Sequence, residues 1–399
     1  MEKNGALKDI VILDLTRVLA GPYCTMLLAD MGANVIKIEI PGRGDDTRSY
    51  APFQNGESMY FANFNRDKKG ITLNLKDPKG KEIFLELAKK ADVVVENYRT
   101  GVMDRLGLGY ETLREVNPKL IYAAVSGFGS YGPYSDRPGY DIISQAMGGL
   151  MSITGQPGDP PTRAGNAMGD VLGGLNLTIG ILAALHARGL TGKGQRVDIS
   201  LVDSVVSSLE AAPQRYFQSG NVPQRIGNRY APVAPYDAYE AKDGYFVIGC
   251  GNQKLYELLC NKILERPELI TDERFTTLPL RVKNNAALKE IIEKWSANYT
   301  IDEAVEKILA VGVPAAQIFD IRRITEDPHI VDVREMFVPL KHPVIGDMRV
   351  SGCPIKLMDT KICIDTPAPT LGQDNEEIFG DVLGIPAEKL QELKTQGII

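Results

Sequence analysis

One tryptophan, three histidines and five cysteines are thinly spread over 399 residues, and each scarcity removes a class of chemistry. The histidines are His186, His329 and His342; none precedes residue 186, and the last two adjoin Pro328 and Pro343 in loop-like sequence. His186 sits beside Arg188 near the end of an apolar helical run, where a cation complements the helix dipole. No spacing resembles a metal site, so no metal is expected, and a Ser-His-Asp relay would have to recruit one of these three. Cys24, Cys250, Cys260, Cys353 and Cys363 are odd in number and form no C-x-x-C pair, which reads as reduced thiols in a cytoplasmic protein. Cys24 stands in a helix's first turn, where amides favour a thiolate, but its neighbours Tyr23, Met26 and Leu27 favour a packed thiol. Long apolar runs are missing as well. The most apolar, Val171 to Leu185, spans about 15 residues and contains Asn176 and Thr178, too short and too polar for a bilayer. The start, Met1-Glu2-Lys3-Asn4, has no apolar stretch behind it and lacks the pattern of a secretory leader. A net charge of −6 argues against a non-specific nucleic-acid partner.

What is present is ordinary globular material: hydrophobic residues at 44% and charged residues at 24% exclude a disordered or fibrous chain. A chain of this length can bury several cores without disulfides or a structural metal. Its first half alternates strand-like and helix-like patterns. Ile10–Leu15 reads as a strand, Tyr23–Met31 as a helix opened by Pro22 and closed by Gly32, and Asn34–Glu39 as a second strand. A helix at Pro78–Ala91 and strands at Asp92–Glu96 and Leu120–Val125 follow. This alternation predicts an α/β fold with a mostly parallel, doubly wound sheet. Residues 1–212 are expected as the large Rossmann-like domain and 213–235, rich in Gly, Pro, Asn and Arg, as a linker. Residues 236–327 read as a smaller α+β domain, with a strand at Tyr245–Ile248 and helices at Lys254–Leu264 and Ala286–Trp295. Residues 328–399 read as a Pro-rich connector and a C-terminal segment, with a helix at Pro386–Lys394, returning to the large domain.

A strand, a helix and a second strand ending in Glu39 copy half of a dinucleotide fold, but the first turn, Thr16 to Pro22, has one glycine where three are needed. Gly127-Phe128-Gly129-Ser130-Tyr131-Gly132 does match G-x-G-x-x-G, yet Pro133 to Pro138 behind it cannot open a helix, so it reads as a turn. The segment Ala164 to Gly174 places one acid, Asp170, among small residues ahead of the apolar helix. One reading makes Asp170 an N-cap that accepts first-turn amides. The other uses the same geometry for nucleophilic catalysis on an activated acyl group, with amides keeping the carboxylate ionised and glycines clearing space for a bulky partner. Arg43, Arg48, Lys68, Lys69, Lys76, Arg99 and Arg105 stand where an anionic ligand could lie across the sheet edge, though most read as solvated surface groups.

Several of these stretches occur together and in order: Leu13-Asp14-Leu15-Thr16 to Gly21-Pro22, Leu28-Ala29-Asp30-Met31-Gly32-Ala33, Asn65-Arg66-Asp67-Lys68-Lys69, Glu96-Asn97-Tyr98-Arg99, Ser126 to Gly129, Met168-Gly169-Asp170 and Gly192 to Gln195. Over nearly its whole length the chain thereby resembles the class III CoA-transferases, the family of formyl-CoA:oxalate and carnitine CoA-transferases. The resemblance implies an interlocked homodimer whose large Rossmann-like domain and small domain bind acyl-CoA and a carboxylic acid, with no permanently bound cofactor. It matches Asp170 to the catalytic aspartate, which would form a mixed anhydride and then an aspartyl-CoA thioester. It carries CoA contacts to Val18, Ala20, Leu73, Lys76, Asn97, Tyr98 and Arg105, and substrate contacts to Tyr140, Gly169 and Asn252.

The chain departs from the family in places. Ile40 follows Glu39 where some members carry arginine, and a long glycine-rich flap is reduced to Gly227-Asn228-Arg229-Tyr230, leaving Gly249 to Gln253 to line the pocket instead. The α-methylacyl-CoA racemases share the implied fold and are the rival reading. They carry a Gly-His-Asp triplet where this chain has Gly139-Tyr140-Asp141, and a glutamate near Asn252; tyrosine is a poor base near neutrality. A non-catalytic acyl-CoA-binding protein is the third reading. The expected acceptor is a 2-hydroxy acid paired with its enoyl-CoA or acyl-CoA; the reduced flap counts against formate with oxalate, and carnitine or a dicarboxylic acid stays open. Met147, Leu150, Met151 and Met168 would suit an aliphatic acyl chain, or at least as well ordinary core.

Overall fold

Apolar residues on both faces of a strand require cover on both sides, and the larger part of the molecule is built that way. In the computed structural model, which describes residues 5–399, six strands form one sheet. They are Val11–Asp14 (β1), Asn34–Glu39 (β2), Lys68–Thr72 (β3), Val93–Glu96 (β4), Ile121–Ser126 (β5) and Arg196–Ser200 (β6). All pair in parallel, in the order β3-β2-β1-β4-β5-β6. Leu13, Ile36 and Val94 face one core with helix Pro78–Lys90 (α2), whereas Ile12, Val35, Val93 and Val95 face the other. The second face is covered by helix Ala20–Asp30 (α1) and by Leu177, Ile181 and Ala184 of helix Met168–Thr191.

The expected strands at the first, second, fourth and fifth positions form within one residue of their predicted ends, and β2 matches at both. Strands β3 and β6 were not expected. Their charged residues hide the pattern: Lys68 opens β3 fully buried against Asp14 at 3.0 Å, and Arg196 opens β6. Helix α1 begins at Ala20, before Pro22, because Leu19 already accepts from the Tyr23 amide at 2.8 Å. The apolar stretch lies in a helix of 24 residues, Met168–Thr191, longer than the run read from sequence and apolar and long enough to cross a bilayer. Within this chain its Leu177, Ile181 and Ala184 belong to the same core as Cys24 and Leu28 of α1, so that face is already buried in protein.

The larger unit comprises the chain to Leu150, Arg163–Gln214 and Pro328–Ile399; the smaller comprises Met151–Thr162 and Arg215–Asp327. The 213–235 stretch is therefore not wholly an irregular linker: Ala212–Ser219 is helical, and from Arg215 the chain belongs to the smaller unit. That unit is α+β, with Tyr236–Ala241, Gly244–Gly249 and Ala315–Gln317 in an antiparallel sheet. Helices Asn285–Ser296 and Ile301–Ala310 bury Leu288, Ile292, Val305 and Ile308 in its core. A true capping box at Thr300 and Glu303 starts the second of these.

Candidate active site

The strand order reverses between β1 and β4, and open α/β sheets take ligands in the crevice beyond the carboxyl ends of such strands. Two turns meet there, Thr16-Arg17-Val18-Leu19 after β1 and Asn97-Tyr98-Arg99 after β4. Asn97 ties them together: its Oδ1 accepts from the Arg17 amide at 2.8 Å and its Nδ2 donates to the Arg17 carbonyl at 2.6 Å. The Tyr98 amide donates to Glu96 at 2.7 Å, and Tyr122 Oη donates to the other Glu96 oxygen at 3.0 Å. Burial pushes the Glu96 carboxyl up to about 7 in spite of those two bonds. The turns enclose a cavity of about 160 Å³ lined by Arg17, Val18, Ala20, Asn97 and Tyr98, and from later in the chain by Arg137, Tyr140 and Asp170.

Asp170 is the third residue of helix Met168–Thr191 (hereafter the long helix) and not its N-cap; Ala167 holds that position without a side-chain bond. The capping role falls to Asp141, at the start of helix Asp141–Met147, whose Oδ1 accepts from the Gly169 amide at 2.8 Å. Gln145 Nε2 donates to both Asp141 oxygens, at 3.1 and 2.9 Å, and Gln145 Oε1 accepts from the Ala164 amide at 2.9 Å. Relieved of capping, Asp170 accepts no hydrogen bond and pairs with no cation among the described residues. Burial first, then the neighbouring Asp141 charge, push its carboxyl up to about 7. The expectation that first-turn amides keep Asp170 ionised is therefore corrected. Tyr60, which no motif pointed to, is pushed up to about 12 by its burial and next by Asp170.

Gly169, Gly173 and Gly174 make room for protein and not for a ligand, a second correction, whereas a Cβ on Gly165 would meet nothing within 4 Å. A Cβ on Gly169 would stand 2.1 Å from Ser144 Oγ, one on Gly173 2.4 Å from Leu201 Cδ2, and one on Gly174 2.6 Å from the Ala20 carbonyl. The G-x-G-x-x-G segment opens no helix before Asp141, as expected of a turn. Its Gly127 serves a close crossing, since a Cβ there would lie 2.6 Å from Gly139 Cα.

Of the expected contact residues, Val18, Ala20, Asn97, Tyr98, Tyr140 and Asp170 line one cavity, and Gly169 supplies the capped amide beside it. Leu73 is core, packed with the α2 side of the sheet, and Lys76 and Arg105 are exposed. Asn252 lies in the smaller unit, where its side chain accepts from the Leu255 amide at 3.0 Å and starts helix Gln253–Leu258. Most of the suspected anion ligands have other partners: Arg48 pairs with Glu39, Lys68 with Asp14, Lys69 with Glu377 and Arg43 with Asp46. Arg99 does line the cavity. Cys24 is fully buried, and that burial pushes its thiol up to about 12, the packed reading. His186 and His329 are exposed, and His342 accepts from the Val344 and Ile345 amides at 3.1 Å, away from the cavity.

Known proteins resemble this chain over most of its length. The model of CoA-transferase family III matches residues 7–375. An acetyl-CoA:oxalate CoA-transferase of Acetobacter aceti is 44% identical over 355 residues, 89% of this chain and 90% of that protein. A succinyl-CoA–D-citramalate CoA-transferase of Chloroflexus aurantiacus is 38% identical across 98% of each chain. A solved CaiB/BaiF family protein from Brucella suis superposes with a TM-score of 0.83 at 36% identity, covering 95% of this chain and all of that one. The chain belongs to CoA-transferase family III, enzymes whose substrates are CoA thioesters and carboxylic acids.

Proposed function

We propose that Asp170 is the nucleophile through which this enzyme moves CoA from a thioester to a free carboxylate. The observation that carries the reading is a carboxylate facing the switch-point cavity with neither a hydrogen bond nor a cation to quiet it. A carboxylate of raised basicity is the better nucleophile once ionised, and near pH 7 a large share of it is. Asp170 attacks the thioester carbonyl; the carbon–sulfur bond breaks, leaving a mixed anhydride and the CoA thiolate. The thiolate adds to the aspartyl carbonyl and expels the donor acid, giving an aspartyl-CoA thioester. The acceptor carboxylate attacks that carbonyl and displaces the thiolate, forming a second anhydride. Attack of the thiolate on the acceptor acyl carbon releases the new thioester and restores Asp170. Arg99 and Arg137 in the cavity lining supply positive charge for a polyanionic CoA, Arg17 being paired there with Asp46 at 3.4 Å, and Val18, Ala20, Asn97 and Tyr98 line its seat.

For the acceptor we propose a short acid bearing a second polar group, the 2-hydroxy acids being one such class. Relatives named for oxalate and D-citramalate support a short polar acid over a long aliphatic one. Met147 is 46% exposed and Met151 belongs to the smaller unit, so the apolar cluster is no single core feature. The working form is proposed to be the interlocked dimer of the family, in the cytoplasm. Acyl-CoA plus hydroxylamine should yield an Asp170 hydroxamate by mass spectrometry, and Asp170→Ala should abolish transfer to every acid in an acceptor screen. Transfer that survives Asp170→Ala near the natural rate ends the mechanism. Exchange of the α-proton with deuterated water in the absence of an acceptor would point to a racemase.

A further inference from the structure

Val18 lines the cavity with φ at +68°, a left-handed backbone that a β-branched side chain strongly resists. Such a conformation persists only where its surroundings over-determine it, and here they do. The backbone polar groups from the Thr16 amide to the Val18 amide are all engaged. The Thr16 amide donates to Asp14 at 2.9 Å, the Thr16 carbonyl accepts from Lys37 Nζ at 2.8 Å, and Asn97 holds both groups of Arg17. The Val18 amide donates to Asp45 Oδ1 at 3.2 Å. Lys37 Nζ also donates to Asp45 Oδ2 at 3.0 Å, and both side chains are wholly buried. Asp45 is fixed in turn, accepting from the Thr47 amide and hydroxyl at 2.9 and 2.8 Å. Neither Lys37 nor Asp45 lines the cavity.

We infer that the buried Lys37–Asp45 pair is a positioning device that clamps the Thr16–Val18 turn in its left-handed form and so keeps the CoA seat in shape. The pair grips the turn at its two ends, the Thr16 carbonyl and the Val18 amide, while Asn97 grips the middle from the turn after β4. Without the pair the turn relaxes toward negative φ at Val18, and binding must then restore the strained form. This rests on the assignment of the cavity to CoA made above.

The test uses the full chain. Lys37→Met, Asp45→Asn and the double variant should raise KM for acyl-CoA and Kd for CoA about tenfold, with kcat at saturation lowered less than about threefold. Val18→Gly and Val18→Ala are then each added to the double variant. Both remove the branched side chain, but only glycine is free at positive φ, so glycine should recover about threefold or more of the lost affinity and alanine none. Equal recovery by both, or KM unchanged in the pair variants while Tyr98→Ala raises it, overturns the positioning role. KM unchanged in all of them, Tyr98→Ala included, overturns instead the assignment of the cavity. Should the pair variants fail to melt cooperatively, the natural chain carries the test: Val18→Gly should melt no lower than Val18→Ala, and a clearly higher midpoint for alanine refutes the clamp.

Discussion

Asp170 shows how much of a side chain's chemistry is decided by what its neighbours do not offer it. An ordinary carboxyl in the unfolded chain titrates near 3.9, whereas burial and Asp141 hold the folded one at about 7. Between those values the folded protein binds the extra proton, so stability falls as pH rises through the window, and the cost is complete above it. Asp170→Asn should therefore stabilise the protein at pH 8 by up to about 4 kcal/mol, and by nothing near pH 3, in urea unfolding at the two values. A less stable asparagine variant at pH 8 would contradict the burial argument. Asp141 is the complementary residue. Its loss leaves the Gly169 amide without an acceptor and frees the segment from Ala164, so Asp141→Ala should cost about 1–2 kcal/mol and lower kcat. The hydroxamate yield at Asp170 would fall with it.

At the scale of elements, the site depends on how closely α1 and the long helix approach. Gly174 lies against the Ala20 carbonyl, where an added Cβ at 2.6 Å meets backbone that cannot turn aside. Gly174→Ala should cost about 1–3 kcal/mol and raise KM for the thioester, because it displaces Ala20 at the cavity wall. Gly189, in the same helix, has nothing within 4 Å of such a Cβ, and Gly189→Ala should instead add about 0.5–1 kcal/mol through helix propensity. Thermal melting of the two variants side by side reads both signs. Most of these elements were legible: β1, β2, β4 and β5 are dense in Val, Ile and Leu, and α2 has Asp77 capping ahead of Pro78. Strand β3 was not, because its Lys68 makes sense only once Asp14 lies beside it, 54 residues away in sequence.

At the scale of the whole molecule, the rate should follow the ionisation of the one carboxylate. The ratio kcat/KM should climb about tenfold per pH unit below pH 7 and level off above it, since only the ionised form attacks. A flat profile from pH 5 to 8 would show that Asp170 is ionised throughout and that burial does not raise its carboxyl. From sequence alone came the alternating α/β plan, the family resemblance, Asp170 as the residue of interest and five further contact residues that line its cavity, because strand patterns and short motifs are local signals. Tertiary structure alone decided that Asp141 caps the long helix, that the glycines serve helix contact, that Leu73 is core, and that Lys37 and Asp45 stand behind Val18. Each of these depends on which distant residues share one small volume, and the spacing of letters along a chain carries no measure of that.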